Sequence, residues 1–371
     1  MFLLPPYQIA LVQAEPSSSS ASTPALTTTK ATPQPAGPYD ILIRVTVVAL
    51  NPTDYKMPLH HPTPGATMGC DFVGTVMTAA TASTWDGEAL PQPGTRVCGA
   101  VHGSNPGNPD IGAFAEYLVA DARLVLRVPV AWSDLEAAAL GGIGWGTLGL
   151  AFYDTLRLEG RPSAPVCPKA DGGRVPVLVY GGATATGTMA CQLLSLSGYS
   201  PIATASPASS QLVQSYAAAS TVPYTASDCV ARIRKETNAS LRHALDCITS
   251  PESAAICCEA MCRAGGRYAS LEFCPEEWRK RKVVQMEMVL GYEMFGREVM
   301  LDGVYHRHKD VRKLELSTGW CREVQVLVNQ GLIRSHPVRE VEGSWEGIVK
   351  GLQMMRKGEV RGEKLVVHLS Y

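Results

Sequence analysis

The stretch from 174 to 198 limits what this chain can fold into more than any other. An apolar run, Val-Pro-Val-Leu-Val-Tyr at 175–180, passes into Gly181-Gly182-Ala183-Thr184-Ala185-Thr186-Gly187 and then into an apolar segment of helical period at 188–198. A strand that turns through glycines straight into a helix packs that helix back on itself, so the following strand joins in parallel. The pattern continues downstream. Strands predicted at 201–205, 244–248 and 267–271 alternate with helices at 208–218, 227–236 and 251–263. Such alternation predicts a doubly wound α/β domain.

The residues before it follow another rule. A strand near 8–12 is followed by one at 41–48, where Ile41, Ile43, Val45 and Val47 recur at period two. Short strands punctuated by Gly and Pro follow at 72–77, 96–101, 115–119 and 125–128, the spacing of a small irregular β-barrel. Residues 16–38 are low in complexity, rich in Ser, Thr, Pro and Ala, and read as an exposed loop. Ser133 and Glu136 have capping-box spacing, so a helix should start there. A Gly-rich break at 140–147, an apolar helical run to 156 and a Pro-rich linker at 162–168 follow, and the tail carries helices at 319–331 and 345–356 and a strand at 364–369. The expected domains are a barrel and substrate domain at 1–162, a nucleotide domain at 163–318, and a segment at 319–371 that returns to the barrel. No internal repeat is present.

Composition removes several function classes. Thirty-three Lys and Arg against 34 Asp and Glu give a net charge of −1, which provides no basic face for nucleic acid or an anionic membrane. Eleven cysteines, an odd number in apolar contexts, read as buried thiols of a reducing compartment. The apolar N-terminal run is short, lacks a basic start and is broken by proline, so no signal peptide is expected. No stretch approaches the roughly 18 apolar residues of a membrane helix. A cytoplasmic, membrane-free protein is expected.

The glycine turn carries the chemistry. In a dinucleotide site its glycines admit the pyrophosphate, whose charge rests on the helix N-terminus. Here the three motif positions are Gly182, Thr184 and Gly187, so the middle glycine is replaced. About 20 residues further on, an NAD site carries a carboxylate for the ribose. This chain has Ala203-Thr204-Ala205-Ser206-Pro207-Ala208-Ser209-Ser210 instead. Hydroxyls without a carboxylate favour NADPH, although no Lys or Arg stands in the turn and the nearest aromatic hydroxyls are Tyr216 and Tyr224.

A barrel, a nucleotide domain and a returning tail resemble the medium-chain dehydrogenase/reductase superfamily over nearly the whole chain. The resemblance implies a GroES-like β-barrel domain joined to a Rossmann domain. The superfamily's zinc branch uses a Cys after the second barrel strand, a Gly-His-Glu triplet and a four-cysteine lobe. The matching positions here are Asn51-Pro52-Thr53-Asp54 and Gly69-Cys70-Asp71, with Cys98 alone between 96 and 117. A zinc site needs more ligands than these, so no metal is expected and hydride transfer should be zinc-independent. Cys257, Cys258 and Cys262 read as buried thiols, and His60-His61 and His306-Arg307-His308 as solvated loops. The absence of a Gly-x-Ser-x-Gly elbow argues against a serine hydrolase.

More narrowly, Asn51-Pro-Thr-Asp-Tyr-Lys56, Met68-Gly-Cys-Asp-Phe-Val-Gly74, Tyr180-Gly-Gly-Ala-Thr-Ala-Thr186, Leu196-Ser-Gly-Tyr-Ser-Pro-Ile-Ala-Thr204, Ala244-Leu-Asp-Cys-Ile-Thr249, Gly265-Gly-Arg-Tyr268 and Gly362-Glu-Lys-Leu-Val-Val367 resemble strings of the fungal trans-acting enoyl reductases. These enzymes serve iterative polyketide synthases and polyketide synthase–nonribosomal peptide synthetase hybrids. Where several of them place Lys or Arg after the matching serine, this chain has Gln214 and Tyr216. The resemblance implies NADPH contacts at Asn51, Pro52, Thr53, Asp54, Ala183, Thr184, Ala185, Thr186, Ser206, Pro207, Ala208, Ser209, Tyr224, Leu271, Glu272, Val360 and Arg361. It implies an acyl-chain path along Leu140, Gly141, Gly142, Ile143, Gly144, Trp145, Gly146 and Thr147, and along Gly291, Tyr292, Glu293, Met294 and Phe295. Hydride would go to the β-carbon of an α,β-unsaturated thioester and a proton to its α-carbon. Charge then grows on the thioester oxygen, where a cation or donor lowers the barrier; Lys56 is the expected group, ahead of Tyr55. The alternatives are a stand-alone quinone or enone reductase and a non-catalytic synthase-binding protein. The trans-acting family further implies a monomer.

Overall fold

In the computed structural model of the chain, which describes residues 4–15, 24–168, 170 and 172–370, β1 (Tyr7–Gln13) pairs antiparallel with β2 (Pro24–Ala31). Residues 24–31 of the expected loop at 16–38 are therefore strand, while its residues 16–23, like residues 1–3 of the N-terminal run, lie outside the described residues. A Thr-rich segment looks like low complexity in sequence but suits a pleated edge, because Thr is β-branched. Lys30 anchors it, donating to the Gly65 carbonyl at 2.9 Å and pairing with Asp110 at 2.8 Å.

The barrel strands follow as β3 (Asp40–Ala49), β4 (Asp71–Thr78), the short hairpin β5 (Thr84–Trp85) and β6 (Glu88–Ala89), β7 (Arg96–Ala100), β8 (Tyr117–Asp121) and β9 (Val125–Arg127). Ile41, Ile43 and Val45 on β3 enter a buried cluster with Phe72, Val97, Phe114 and Leu118, as their alternation predicts, but a register shift between Val45 and Val47 breaks the period, and Val48 joins the cluster in place of Val47. Helix α1 (Pro52–His60) leaves β3, which corrects the loop expected around His60. Helix α2 (Asp134–Leu140) begins with the expected capping box: Ser133 Oγ accepts from Glu136 N at 3.2 Å and Glu136 Oε2 accepts from Ser133 N at 2.9 Å.

The chain falls into two compact units, Met1–Ile143 with Phe295–Tyr371, and Gly144–Met294; the joins expected from sequence were after 162 and 318. The expected glycine break at 140–147 is confined to Gly141, at φ +67°, and Gly142, because α3 (Ile143–Gly149) resumes at once and widens into a π turn at Leu150–Thr155. Asp134–Thr155 is consequently the one helical stretch among the described residues long and apolar enough to cross a membrane, contrary to the expectation that none would come close. It is 72% buried within the fold and broken at Gly141, which marks it as core.

The second unit continues with β10 (Pro176–Tyr180), α4 (Ala185–Leu196), β11 (Ser200–Ala205), α5 (Ser210–Ser215), β12 (Ser220–Pro223), α6 (Cys229–Glu236), β13 (His243–Asp246), α7 (Pro251–Ala260), β14 (Gly266–Ser270) and β15 (Val284–Met288). All six strands are parallel, in the order β12-β11-β10-β13-β14-β15. In strand rank this is 3-2-1-4-5-6, with the reversal between β10 and β13, where such sheets take ligands. Sequence periodicity missed β12, only four residues long, and β15, where Val284 alone is buried. The expected helix at 208–218 shrinks to a tight turn and α5.

The chain then returns to the first unit through α8 (Val311–Asn329), β16 (Val338–Glu340), α9 (Ser344–Arg356) and β17 (Lys364–His368). Helix α8 starts eight residues earlier than expected, since Asp310 accepts from Arg312 N at 3.0 Å and caps it. Strand β17 pairs with β3 and closes the sheet β16-β17-β3-β4-β7-β9, with β8 also on β3.

Candidate functional site

In the second unit the glycine turn does what its spacing predicts. A Cβ on Gly182 would lie 2.7 Å from the Ala203 Cβ, and one on Gly187 would lie 2.3 Å from the Gly181 carbonyl oxygen. Neither position accepts a side chain, because strand and helix touch there. Gly181 sits at φ +80° and donates to Thr204 Oγ1 at 3.0 Å. Thr184, standing at the replaced middle position, caps α4 by accepting from Gly187 N at 2.9 Å. The amides of Ala185 and Thr186 in the first turn are left without intrahelical acceptors, as at any helix start, and form a site for an anion.

The other nucleotide-contact candidates of this unit gather at the carboxyl ends of neighbouring parallel strands. Ser206, Pro207, Ala208 and Ser209 follow β11, Tyr224 follows β12, and Leu271 and Glu272 follow β14. Ser206 Oγ donates to Ser209 Oγ at 3.0 Å, holding the two hydroxyls together, and no carboxylate ends β11. Tyr224 is exposed, whereas Tyr216 is 5% exposed and belongs to the core, so it offers no hydroxyl to a ribose. Residues so placed, around a turn that Gly182 and Gly187 allow to pack tightly, fit a dinucleotide.

Sequence reading passed over Asp246, which ends β13 at the reversal point. It is fully buried; Oδ1 accepts from Ile248 N and Thr249 N, each at 2.9 Å, and Oδ2 accepts from Ser253 Oγ at 2.5 Å and Tyr268 Oη at 2.8 Å. Four donors fix the loop that carries Cys247 and the half-exposed Ile248 beside the glycine turn. Burial pushes the Cys247 thiol well up, so it is no nucleophile. Trp145 and Met294 of the acyl-path candidates are fully buried, with Met294 Sδ filling the space a Cβ on Gly146 would need; Gly144, Gly291 and, in the first unit, Ile143 and Phe295 are only half-buried.

In the first unit, Asn51 precedes α1 and its amide donates to Asp54 Oδ2 at 2.7 Å. Its side chain turns inward. Asn51 Nδ2 donates to Asp71 Oδ2 at 2.9 Å, and Lys364 Nζ, from β17, donates to Asn51 Oδ1 and, at 3.3 Å, to Asp71 Oδ2. Asp71 Oδ1 accepts from Gly142 N at 2.9 Å and Ile143 N at 2.8 Å. Gly141 must be glycine beside it, since a Cβ would lie 2.5 Å from Asp71 Oδ2. Asp54 keeps one buried oxygen, Oδ1, without a hydrogen-bond partner. Burial, with the nearby Asp71 charge, pushes its carboxyl up to about 7 against the opposing Asn51 amide and Lys364. His336 is pushed down to about 4 by burial and then by Lys364, so it stays neutral and the ammonium is the cation of the cluster. Lys56 lies half-buried on α1, Val360 is half-buried and Arg361 is exposed.

Residues 37–130 match the alcohol dehydrogenase GroES-like domain family. The chain is 45% identical over 371 residues to the trans-enoyl reductase calK of Penicillium decumbens, covering 98% of each chain, and 46% identical over 344 residues to the trans-enoyl reductase sthE of Phaeosphaeria nodorum, covering 90% of each. It belongs to the fungal trans-enoyl reductase family. The fold agrees: a putative zinc-dependent alcohol dehydrogenase from Rhizobium etli superposes with a TM-score of 0.75 at 23% identity, and the CurK enoyl reductase with 0.68 at 18%, each over 98% of this chain and 99% of the other. The chain is thus an oxidoreductase of the medium-chain dehydrogenase/reductase superfamily, with the barrel and Rossmann folds expected.

Within that family the first unit explains what stands at the zinc-branch positions. Asn51, Cys70 and Asp71 are an amide, a thiol and a carboxylate, with Asn51 and Asp71 already bonded to each other and to the Lys364 ammonium. This donor set does not suit zinc. Lys364 escaped the sequence reading because it is 293 residues from Asp71. Cys257, Cys258 and Cys262 are buried as expected, and of the eleven free cysteines only Cys167 is exposed.

Proposed function

We propose that this trans-enoyl reductase is a cytoplasmic monomer that uses NADPH to reduce α,β-unsaturated thioesters of a growing polyketide held on a partner synthase or synthase–peptide synthetase hybrid. The observation that carries the cofactor reading is the pair of linked hydroxyls, Ser206 and Ser209, at the end of β11 where an NAD site has a carboxylate. The family carries the reaction class. Bound NADPH would supply the hydride. Gly182 and Gly187 let the turn pack closely, the first amides of α4 would donate to the pyrophosphate, and the Ser209 hydroxyl, which accepts from Ser206, would donate to the 2′-phosphate. Lys56 is assigned to the thioester, donating to its oxygen as charge builds there or passing a proton to the α-carbon.

NADPH oxidation with an α,β-unsaturated acyl pantetheine thioester, run beside NADH and a simple quinone, tests this reading. Turnover with NADPH and thioester should exceed that with either substitute, and Lys56→Ala should lower kcat by about 10²-fold or more. Turnover with quinone alone would make the protein a stand-alone quinone or enone reductase. NADPH binding without reduction of a thioester carried on the synthase would make it a binding partner only.

A further inference from the structure

Outside the reductase machinery, the structure assigns a divalent-metal site of the zinc class to Glu298, His306 and His308. Glu298 stands eight residues before His306 and ten before His308, yet the ligand atoms of all three lie within 4.8 Å of one another. An isolated antiparallel bridge brings them together: Val299 and Arg307 exchange two backbone hydrogen bonds, at 2.9 and 3.1 Å. Side chains alternate across an extended backbone. Val299 therefore points inward, 1% exposed, and Glu298, His306 and His308 fall on the opposite face. His306 Nε2 is 3.0 Å from Glu298 Oε1, and the two imidazoles meet edge to face at 4.9 Å between centroids.

Two imidazole nitrogens and one carboxylate oxygen form a donor set that zinc takes readily, with water completing a tetrahedron. Ligand atoms of a tetrahedral ion sit closer together than 4.8 Å, so the side chains must draw in slightly, which the exposed Glu298 and His308 are free to do. Arg307, the one cation between the histidines, is turned to the Val304 and His306 carbonyls at 2.6 and 2.8 Å. The site lies in the first unit, away in sequence from the zinc-branch positions, and its effect would be to fasten the irregular segment from 296 to 310.

Calorimetric titration of the full chain with Zn²⁺, and Co²⁺ absorption as a readout of ligand type, test the assignment. One saturable site is expected, with a Co²⁺ spectrum lacking thiolate charge transfer. His306→Ala and His308→Ala should each weaken it at least tenfold, the low end of the roughly 10–100-fold that even an outer-shell change costs. Glu298→Gln, which keeps shape and hydrogen bonding, should weaken it in the same sense and guards against misfolded alanine variants. No saturable binding below millimolar metal, a thiolate signature, or binding unchanged in all three variants would overturn the proposal.

Discussion

Each unit holds a buried acid among its candidate site residues, and the two are treated differently. Asp246 in the nucleotide unit receives four hydrogen bonds, two from its own loop and two from Ser253 and Tyr268. Asp54 in the barrel unit receives the Asn51 amide on one oxygen and leaves the other unpaired, with Asp71 and Lys364 nearby. A buried carboxylate surrounded by donors is a fixed structural post. One short of donors keeps its proton, and its state then depends on pH. The contrast separates a rigid cofactor edge from a barrel site whose charge can change in the neutral range.

The largest effect should come from removing the cation of the barrel site, Lys364. Lys364→Met leaves Asp71 buried without its partner and should cost about 3–5 kcal/mol in denaturant unfolding; adding Asp71→Asn, which still accepts from Gly142 and Ile143, should restore much of it. Additive losses in the double variant would mean the pair does not act as a unit.

The next effect is one of pH. Unfolded, Asp54 ionises near 3.8; folded, it holds its proton up to about pH 7. Between these values the folded chain binds more protons, so the stability this group contributes is present below about pH 4 and declines as pH rises to 7, by up to about 1.4 kcal/mol per pH unit. Asp54→Asn should flatten that slope and be the more stable protein at pH 8. Urea midpoints that stay parallel for both proteins from pH 4 to 8 would remove the contrast with Asp246.

Smallest is Asp246→Asn, which keeps one acceptor oxygen for Ile248 and Thr249 but turns an amide toward Ser253 and Tyr268. A loss of about 1–3 kcal/mol is expected. Hydrogen exchange at Ile248 and Thr249 that stays as slow as in the parent would mean the loop does not need the charge.

What the sequence made legible was local. Ser133 with Glu136, and Gly182 with Gly187, act over a few residues, and their spacing forecast the cap and the turn that the structure contains. Strands β2, β12, β15 and β16 were missed because each is short or polar and gains its place from a partner strand. The barrel cluster was hidden for a stronger reason: Asn51 and Lys364 are 313 residues apart, and no period links them. The same holds for Glu298 with His306 and His308, joined by a bridge that turn chemistry does not announce. The residues quoted as Asn51-Pro-Thr-Asp were recognisable, but not that Asn51 would turn its amide inward.

Strand β17 has one more consequence, for the order in which the protein is made. The nucleotide unit is a continuous piece of chain, Gly144–Met294, whereas the first unit waits for the residues from Phe295 onward. A ribosome that has delivered the Rossmann sheet has not yet delivered Lys364. Until it does, Asp71 has no ammonium to face, and β3 lacks the partner that its residues Val47, Val48 and Ala49 take from β17.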